Sequence, residues 1–459
     1  MLLMNFKRFL YPDLLNGSIF KSILFFTIPI ITSYFFQHLY NTTDTVIVGH
    51  YLTEESLAAI GACAPVFEII LNLGNGFGTG FSIVIARAYG TGNRDYLKRA
   101  VAASILILTV VSVVIMAACF IFLRPILVLL GTPEGIISEA MSYISLIGIF
   151  CGVLFAYNLF AGMLRAIGNS FMPLIFLLFS SLLNVLLDVV LITKFGMGVA
   201  GTAVATVIAQ GLSVILCIVY IFKGAKLLVP KPASFKPCGT EAVKLYKELI
   251  SQGFSMALML SIVGSGTLIL QSAINKFGTF IIAGHTAARK IFSLSSVVIF
   301  SVGMTGSTFV SQNFGAGNIS RVKQGVKTTI LMTVCYGIFL TLLTPFIVKP
   351  LFKFVSGSEN QELLNYGTKY LQFAYPFFTV LGPLIILRNA LQGIGEKILP
   401  LISSFVELAG KILFTLFLIP VLGIWGIILC EPLIWCLMTI ELVFAFIIRI
   451  HKLDAGKKL

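Results

Sequence analysis

Two acidic residues stand inside apolar runs, where an ionised side chain is expensive. Asp188 lies in SSLLNVLLDVVLI with Asn184 four residues before it, so both side chains share one helix face. Asp44 closes a polar string of Gln37, His38, Asn41, Thr42, Thr43 and Asp44 late in the first apolar run. A charged side chain at the centre of a membrane helix costs about 2.5 to 3.5 kcal/mol on insertion scales, so each one needs an account. Carboxylate, amide and hydroxyl oxygens suit small hard cations, and two carboxylates held together can share a proton. A site for sodium or a proton is one reading of Asp44, Asn184 and Asp188. Hydrogen bonding between helices is the other reading of Asn184 and Asp188, and an interfacial helix end is the other reading of Asp44.

The remaining charges inside apolar runs are few. Glu407 and Lys411 are four apart and can pair on one helix face, or Glu407 can face a cargo. Glu68 and Glu431, with Gln37 and Asn41, are candidates to line a cavity for cationic cargo; burial beside polar helix faces explains the two acids equally well. Arg289 and Lys290 are available to neutralise these acids. His38, His50 and His285 read as ordinary hydrogen-bonding histidines. Eight cysteines are scattered without a CxxC or His/Cys metal spacing, and no HExxH or GxSxG string occurs, so the chain reads as neither a metalloenzyme nor a hydrolase.

The elements that position these residues follow from composition. Hydrophobic residues make up 58% of the 459 and charged residues 11%, against roughly 25% charge in soluble domains. Continuous apolar runs such as 101–123 and 424–448 are long enough to cross a hydrocarbon core as helices, and too continuous for barrel strands. Twelve spans are expected, the fourth over 137–162 and the seventh over 249–275. The start shows no cleavable signal pattern. With the amino terminus inside, outer loops hold six basic residues, Arg124, Lys194, Lys276, Lys349, Lys353 and Lys369, and three more fall in spans. The other 23 of 32 lie on inner loops and tails. The net charge of +14 is thus an orientation signal and an attraction to anionic lipid, with no nucleic acid required.

An internal repeat divides the chain. RAYGTGN at 87–93 recurs as QNFGAGN at 312–318, and LRAIGNSFMPLI at 164–175 recurs as LQGIGEKILPLI at 391–402. Six spans separate the partners, which predicts two six-helix bundles in the same orientation, related by a pseudo-twofold axis along the membrane normal. The expected organisation is an inner segment 1–19, a first lobe 20–222, a basic inner linker 223–248, a second lobe 249–448 and an inner tail 449–459. At the shift of the first repeat, Asp44 falls opposite Ile269 and Asp188 opposite Leu413, with the second register loose by about two residues. The acidic pair therefore belongs to the first lobe alone. Pro29, Pro65, Pro376 and Pro383 permit kinks within or near spans, and Gly74, Gly76, Gly78 and Gly80 permit close packing or local distortion.

These strings together resemble the multidrug and toxic compound extrusion (MATE) family over nearly the whole chain: NTTDTVIVGHYL, SLAAIGACAP, RAYGTGN, LRAIGN before a proline, NVLLDVVLITKFGMGVAGTAVAT and QNFGAGN. The resemblance implies an all-α membrane transporter of two pseudo-symmetric six-helix bundles. It implies a first-lobe cation site on Asp44, Asn184, Asp188 and Thr206, holding sodium or a proton. It further implies export of amphipathic, often cationic compounds against inward cation flow by alternating access. No other cofactor is expected; the chain is expected to work as a monomer in the plasma membrane, the inner membrane in a bacterium, with both termini cytoplasmic. Some relatives carry an acidic residue in the seventh helix, whereas GFSMALMLSIVGSGTLILQ has none, which argues against a second-lobe coupling site. The alternative is a lipid-linked precursor flippase of the same superfamily, for which several cationic spans would be expected.

Overall fold

The computed structural model describes residues 12–236 and 239–455, apart from the side chain of Asn41. The described residues are overwhelmingly helical and contain no strand. In chain order the helices are α1 (Ile19–Tyr51), α2 (Glu54–Gly90), α3 (Arg94–Leu129), α4 (Glu134–Ile149), α5 (Cys151–Ala166), α6 (Phe171–Thr193) and α7 (Gly198–Gly224). They continue as α8 (Gly239–Ile274), α9 (Thr279–Gly315), α10 (Ile319–Ser356), α11 (Gln361–Ala374), α12 (Phe378–Gly393), α13 (Ile398–Leu413), α14 (Ile419–Leu422) and α15 (Ile424–Asp454). Among the described residues eleven spans are long and apolar enough to cross a membrane, and the bent pair α4 and α5 makes twelve.

The fourth span differs from the single straight helix expected over 137–162. It breaks at Phe150 and turns by 44° between α4 and α5. Gly148 and Gly152 flank the break and let it pack closely on α3, where a methyl group on Gly148 would lie 2.9 Å from Cys119 Cβ. Within the stretch 223–248 expected as the basic linker, α8 begins at Gly239.

The repeated strings turn out to be turn-and-cap devices. Gly92 and Gly317 take positive φ (71° and 73°), a conformation that favours glycine, and the asparagine after each caps the next helix. Asn93 accepts from the backbone of Asp95 and Tyr96, and Asn318 from that of Arg321. The second pair works the same way: after Gly168 and Gly395, Asn169 accepts from Met172 N, and Glu396 from the amides of Lys397, Ile398 and Leu399.

By contacts the chain forms two compact units, one built on residues 28–260, the other on 14–27 together with 261 onward. In the first unit the core is apolar and α2 makes the tightest crossing. A methyl group on Gly76 would lie 2.2 Å from Ala257 Cα, and one on Gly80 would lie 2.6 Å from Gly253 Cα. Glycine is needed at both positions because the backbones of α2 and α8 touch there. The Arg87–Glu248 ion pair, at 2.5 Å, ties the same two helices nearer their inner ends. We expect Gly76→Val to lower the thermal midpoint of the purified protein by several degrees, as overpacking at a backbone contact costs about 1 to 3 kcal/mol. Scanning fluorimetry beside Gly61→Val, where a side chain meets open space, provides the check.

In the second unit, α9 and the helices around it bury Phe292, Phe378, Tyr370, Tyr375 and Trp435. Phe292 stacks on Trp435 and meets Phe378 edge to face. The segment leading into α1 is fastened there: Asn313 and Arg321 donate to the carbonyl of Leu14, Arg321 also donates to that of Gly17, and the hydroxyls of Thr27 and Thr305 bond at 2.8 Å.

Candidate cation site

Asp44 is not at a helix end. It lies two turns before the end of α1, half-buried, with Tyr40 one turn earlier on the same face. On α6, Asn184 and Asp188 are 1% and 0% exposed, although most of their neighbours on that helix are aliphatic. Their spacing puts both on one face, and the fold turns that face toward α1 and α7.

The amide of Asn184 joins the two acids. Oriented to satisfy both of its ends, its nitrogen donates to Asp44 Oδ1 at 3.0 Å and to Asp188 Oδ2 at 3.2 Å, while its oxygen accepts from the backbone N–H of Thr206 at 3.1 Å. The Thr206 hydroxyl lies 3.3 Å from Tyr40 Oη. The one nitrogen of Asn184 thereby links Asp44 to Asp188, and Tyr40, one turn before Asp44, links α1 to Thr206. The structure therefore brings Asp44, Asn184, Asp188 and Thr206 together in one unit, on three helices.

One atom of the cluster is left over. Asp188 Oδ1 is buried and has no hydrogen-bond partner in the protein. Orphaned buried oxygens are costly, and a carboxylate facing another carboxylate is costlier still. A donor set of two carboxyls, an amide, a hydroxyl and the nearby Tyr40 phenol is chemically able to hold a proton or a small hard cation.

The other candidates fall elsewhere. Gln37 is half-buried on α1, Glu68 is exposed on α2, and the side chain of Asn41 lies outside the described residues. Glu407 and Glu431 are buried in the second unit, bound to basic side chains. Glu407 Oε1 receives Lys411 Nζ at 3.0 Å; Glu431 receives Arg289 at 2.6 Å and Lys411 at 3.5 Å. Arg388 lies 3.7 Å from Glu407 and donates to Ser403. Of the two readings of Glu407, pairing is the geometry present.

Sequence reasoning passed over Tyr40 and Arg388. Tyr40 could have been found from its four-residue spacing to Asp44. Arg388 offered no such signal, since it follows the apolar run and reads as a loop charge.

The described residues thus form a polytopic helical protein with an acidic pair held among its helices, and comparison with known proteins names its kind. The MatE family model matches residues 29–190 and 255–417, so the chain belongs to the MatE family of transporters. It is 25% identical over 423 residues to the probable multidrug resistance protein YoeA of Bacillus subtilis, covering 89% of this chain and 90% of that one. It is 26% identical over 413 residues to the probable multidrug resistance protein NorM of Thermotoga maritima, covering 88% and 86%. A multidrug resistance MATE family transporter solved in an outward-facing conformation shares the fold, with a TM-score of 0.86 at 22% identity, covering 96% of this chain and 98% of that one. The expected all-α fold, the multi-pass membrane embedding and the transporter rather than enzyme class all stand.

Proposed function

We propose that this transporter is a cation-coupled antiporter that exports amphipathic, often cationic compounds by alternating access. Asp44, Asn184, Asp188 and Thr206 hold the coupling ion, sodium or a proton. One observation carries the reading: a single amide bridges two carboxyl groups from different helices, and one oxygen of the buried member has no partner. Two acids kept this close in a lipid-embedded bundle are a liability to a scaffold and an asset to a protein that must change its charge state.

Coupling needs differential affinity. A cation bound equally in both facing states shifts nothing, whereas one that binds tightly only when Asp44 and Asp188 approach favours the state in which α1 lies against α6. Loss of the ion releases that constraint and separates the acids, which then suit a cationic cargo. The proposal puts the protein in the plasma membrane, and the excess of basic residues on the inner loops supports cytoplasmic termini. It is proposed to act as a monomer.

Efflux of a lipophilic cation from proteoliposomes tests this, with an inward sodium gradient and then an inward proton gradient imposed. At least one gradient is expected to accelerate efflux about 10-fold or more over the rate without a gradient, corresponding to about 1.4 kcal/mol off the activation barrier. Equal rates under both gradients and under none would identify a passive carrier.

A further inference from the structure

The second unit contains a buried ionic cluster that the proposed coupling does not use. Arg289 on α9, Arg388 on α12, Glu407 and Lys411 on α13, and Glu431 on α15 form one connected chain of contacts. Lys411 is at its centre, 3% exposed, and a methyl group on Gly266 would lie 2.9 Å from its Cδ. Both carboxylates that contact its ammonium are also nearly inaccessible.

The repeat shows what this cluster replaces. Gly168 and Gly395, at φ 91° and 95°, open the turns before α6 and α13, and counting from them places Glu407 at the position of Ser180 and Lys411 at that of Asn184. Thr415 then stands where Asp188 does, and its hydroxyl is buried without a partner. Gly198 and Gly423, at φ 55° and 58°, open α7 and α15, and the same count places Glu431 at the position of Thr206. Lys411 thus occupies the register position of the amide that bridges the first-unit acids, and its two carboxylate partners stand on the helices that correspond to α6 and α7.

The ion pairs point the same way. Arg388 and Arg289 stand on Oε2 of Glu407 and Glu431, while Lys411 Nζ stands on Oε1 of both. Without its ammonium those two buried Oε1 atoms have no cation between them in a region with little water, and a small cation would be drawn in.

We propose that Lys411 is a tethered cation: its ammonium permanently fills, between Glu407 and Glu431, a site that corresponds by repeat register to the exchangeable cation site of the first unit. The comparison rests on the cation reading of Asp44, Asn184 and Asp188, but the test below involves no transport and none of those residues. The second unit then carries no exchangeable ion of its own. Its carboxylates keep the geometry of a cation site, and shortening Lys411 reopens that site to small primary ammonium ions.

Thermal unfolding of the purified protein decides it, with ethylammonium chloride as the probe and choline chloride at equal concentration as the bulky control. In Lys411→Ala, ethylammonium is expected to raise the midpoint by several degrees, the rise growing with the logarithm of its concentration above the millimolar range, as for a ligand bound only to the folded state. Wild type should show no difference between the two salts, and Glu407→Gln added to Lys411→Ala should remove the effect. If Lys411→Ala gives no folded protein in choline, the comparison is read as yield, and recovery in ethylammonium alone supports the proposal. No selective effect in midpoint or yield overturns it, as does an equal effect on wild type. Failure of the first-unit reading would instead appear as wild-type transport by Asp44 and Asp188 variants, with this result unchanged.

Discussion

Asp188→Asn is expected to reduce cation-driven export by about 100-fold or more, the equivalent of about 2.7 kcal/mol. The substitution keeps the shape and the hydrogen bond to Asn184, so the chain should insert and purify as wild type does. It removes the fully buried carboxyl whose second oxygen lacks a partner, and with it the charge that a coupling ion would neutralise. Asp44→Asn should behave alike, because Asn184 binds both acids through one nitrogen and neither can hold the ion alone. Thermal stability should stay level or rise in both variants, since replacing one of two facing carboxyls removes a repulsion. Efflux from proteoliposomes, normalised to inserted protein, is the measurement, and wild-type rates in both variants would remove the site assignment.

The second large effect is on stability. Arg289→Met should lower the thermal midpoint by roughly 6 °C or more, because orphaning one partner of a buried ion pair costs about 3 to 5 kcal/mol and each kcal/mol moves a domain of this size by about 2 to 4 °C. Arg289 holds Glu431 at 2.6 Å and bonds to Tyr370 at 3.3 Å, and Glu431 is 8% exposed at its side chain. Lys411 at 3.5 Å compensates only in part. The double variant Arg289→Met/Glu431→Gln should recover most of the loss, since it removes the charge that the single variant strands. A double variant no more stable than the single one would show that packing of the arginine on Phe292, 5.0 Å from the ring centroid, is the larger contribution.

Most of the fold was legible because lipid imposes it. A chain that offers long apolar runs has to be helical there, and the placement of basic residues orders the runs without knowledge of packing. The two repeated strings were visible as identities, although their work as turn and cap appears only with the φ angles of Gly92, Gly168, Gly317 and Gly395. The break at Phe150 was hidden, because no proline marks it and the two glycines beside it are common in membrane helices.

The candidate site was legible in parts. Asn184 and Asp188 announce themselves by their spacing on one helix, and so do Glu407 and Lys411. What brings Asp44 to Asn184, 140 residues later in the chain, or Arg289 to Glu431, 142 residues later, is tertiary packing that no local pattern encodes. Thr206 came from family resemblance alone, since a threonine in an apolar helix has many ordinary uses. Its backbone N–H, as well as its hydroxyl, takes part in the cluster.

In the proposed coupling, Asp44, Asn184 and Asp188 exchange their ion for cargo. Addition of tetraphenylphosphonium, a lipophilic cation, to detergent-purified protein tests it most directly, with a pH indicator and a sodium electrode recording what is released. Wild type should release one proton or one sodium ion per cargo bound, and Asp188→Asn should bind the cargo and release neither. Equal release from the wild type and the variant would contradict the account.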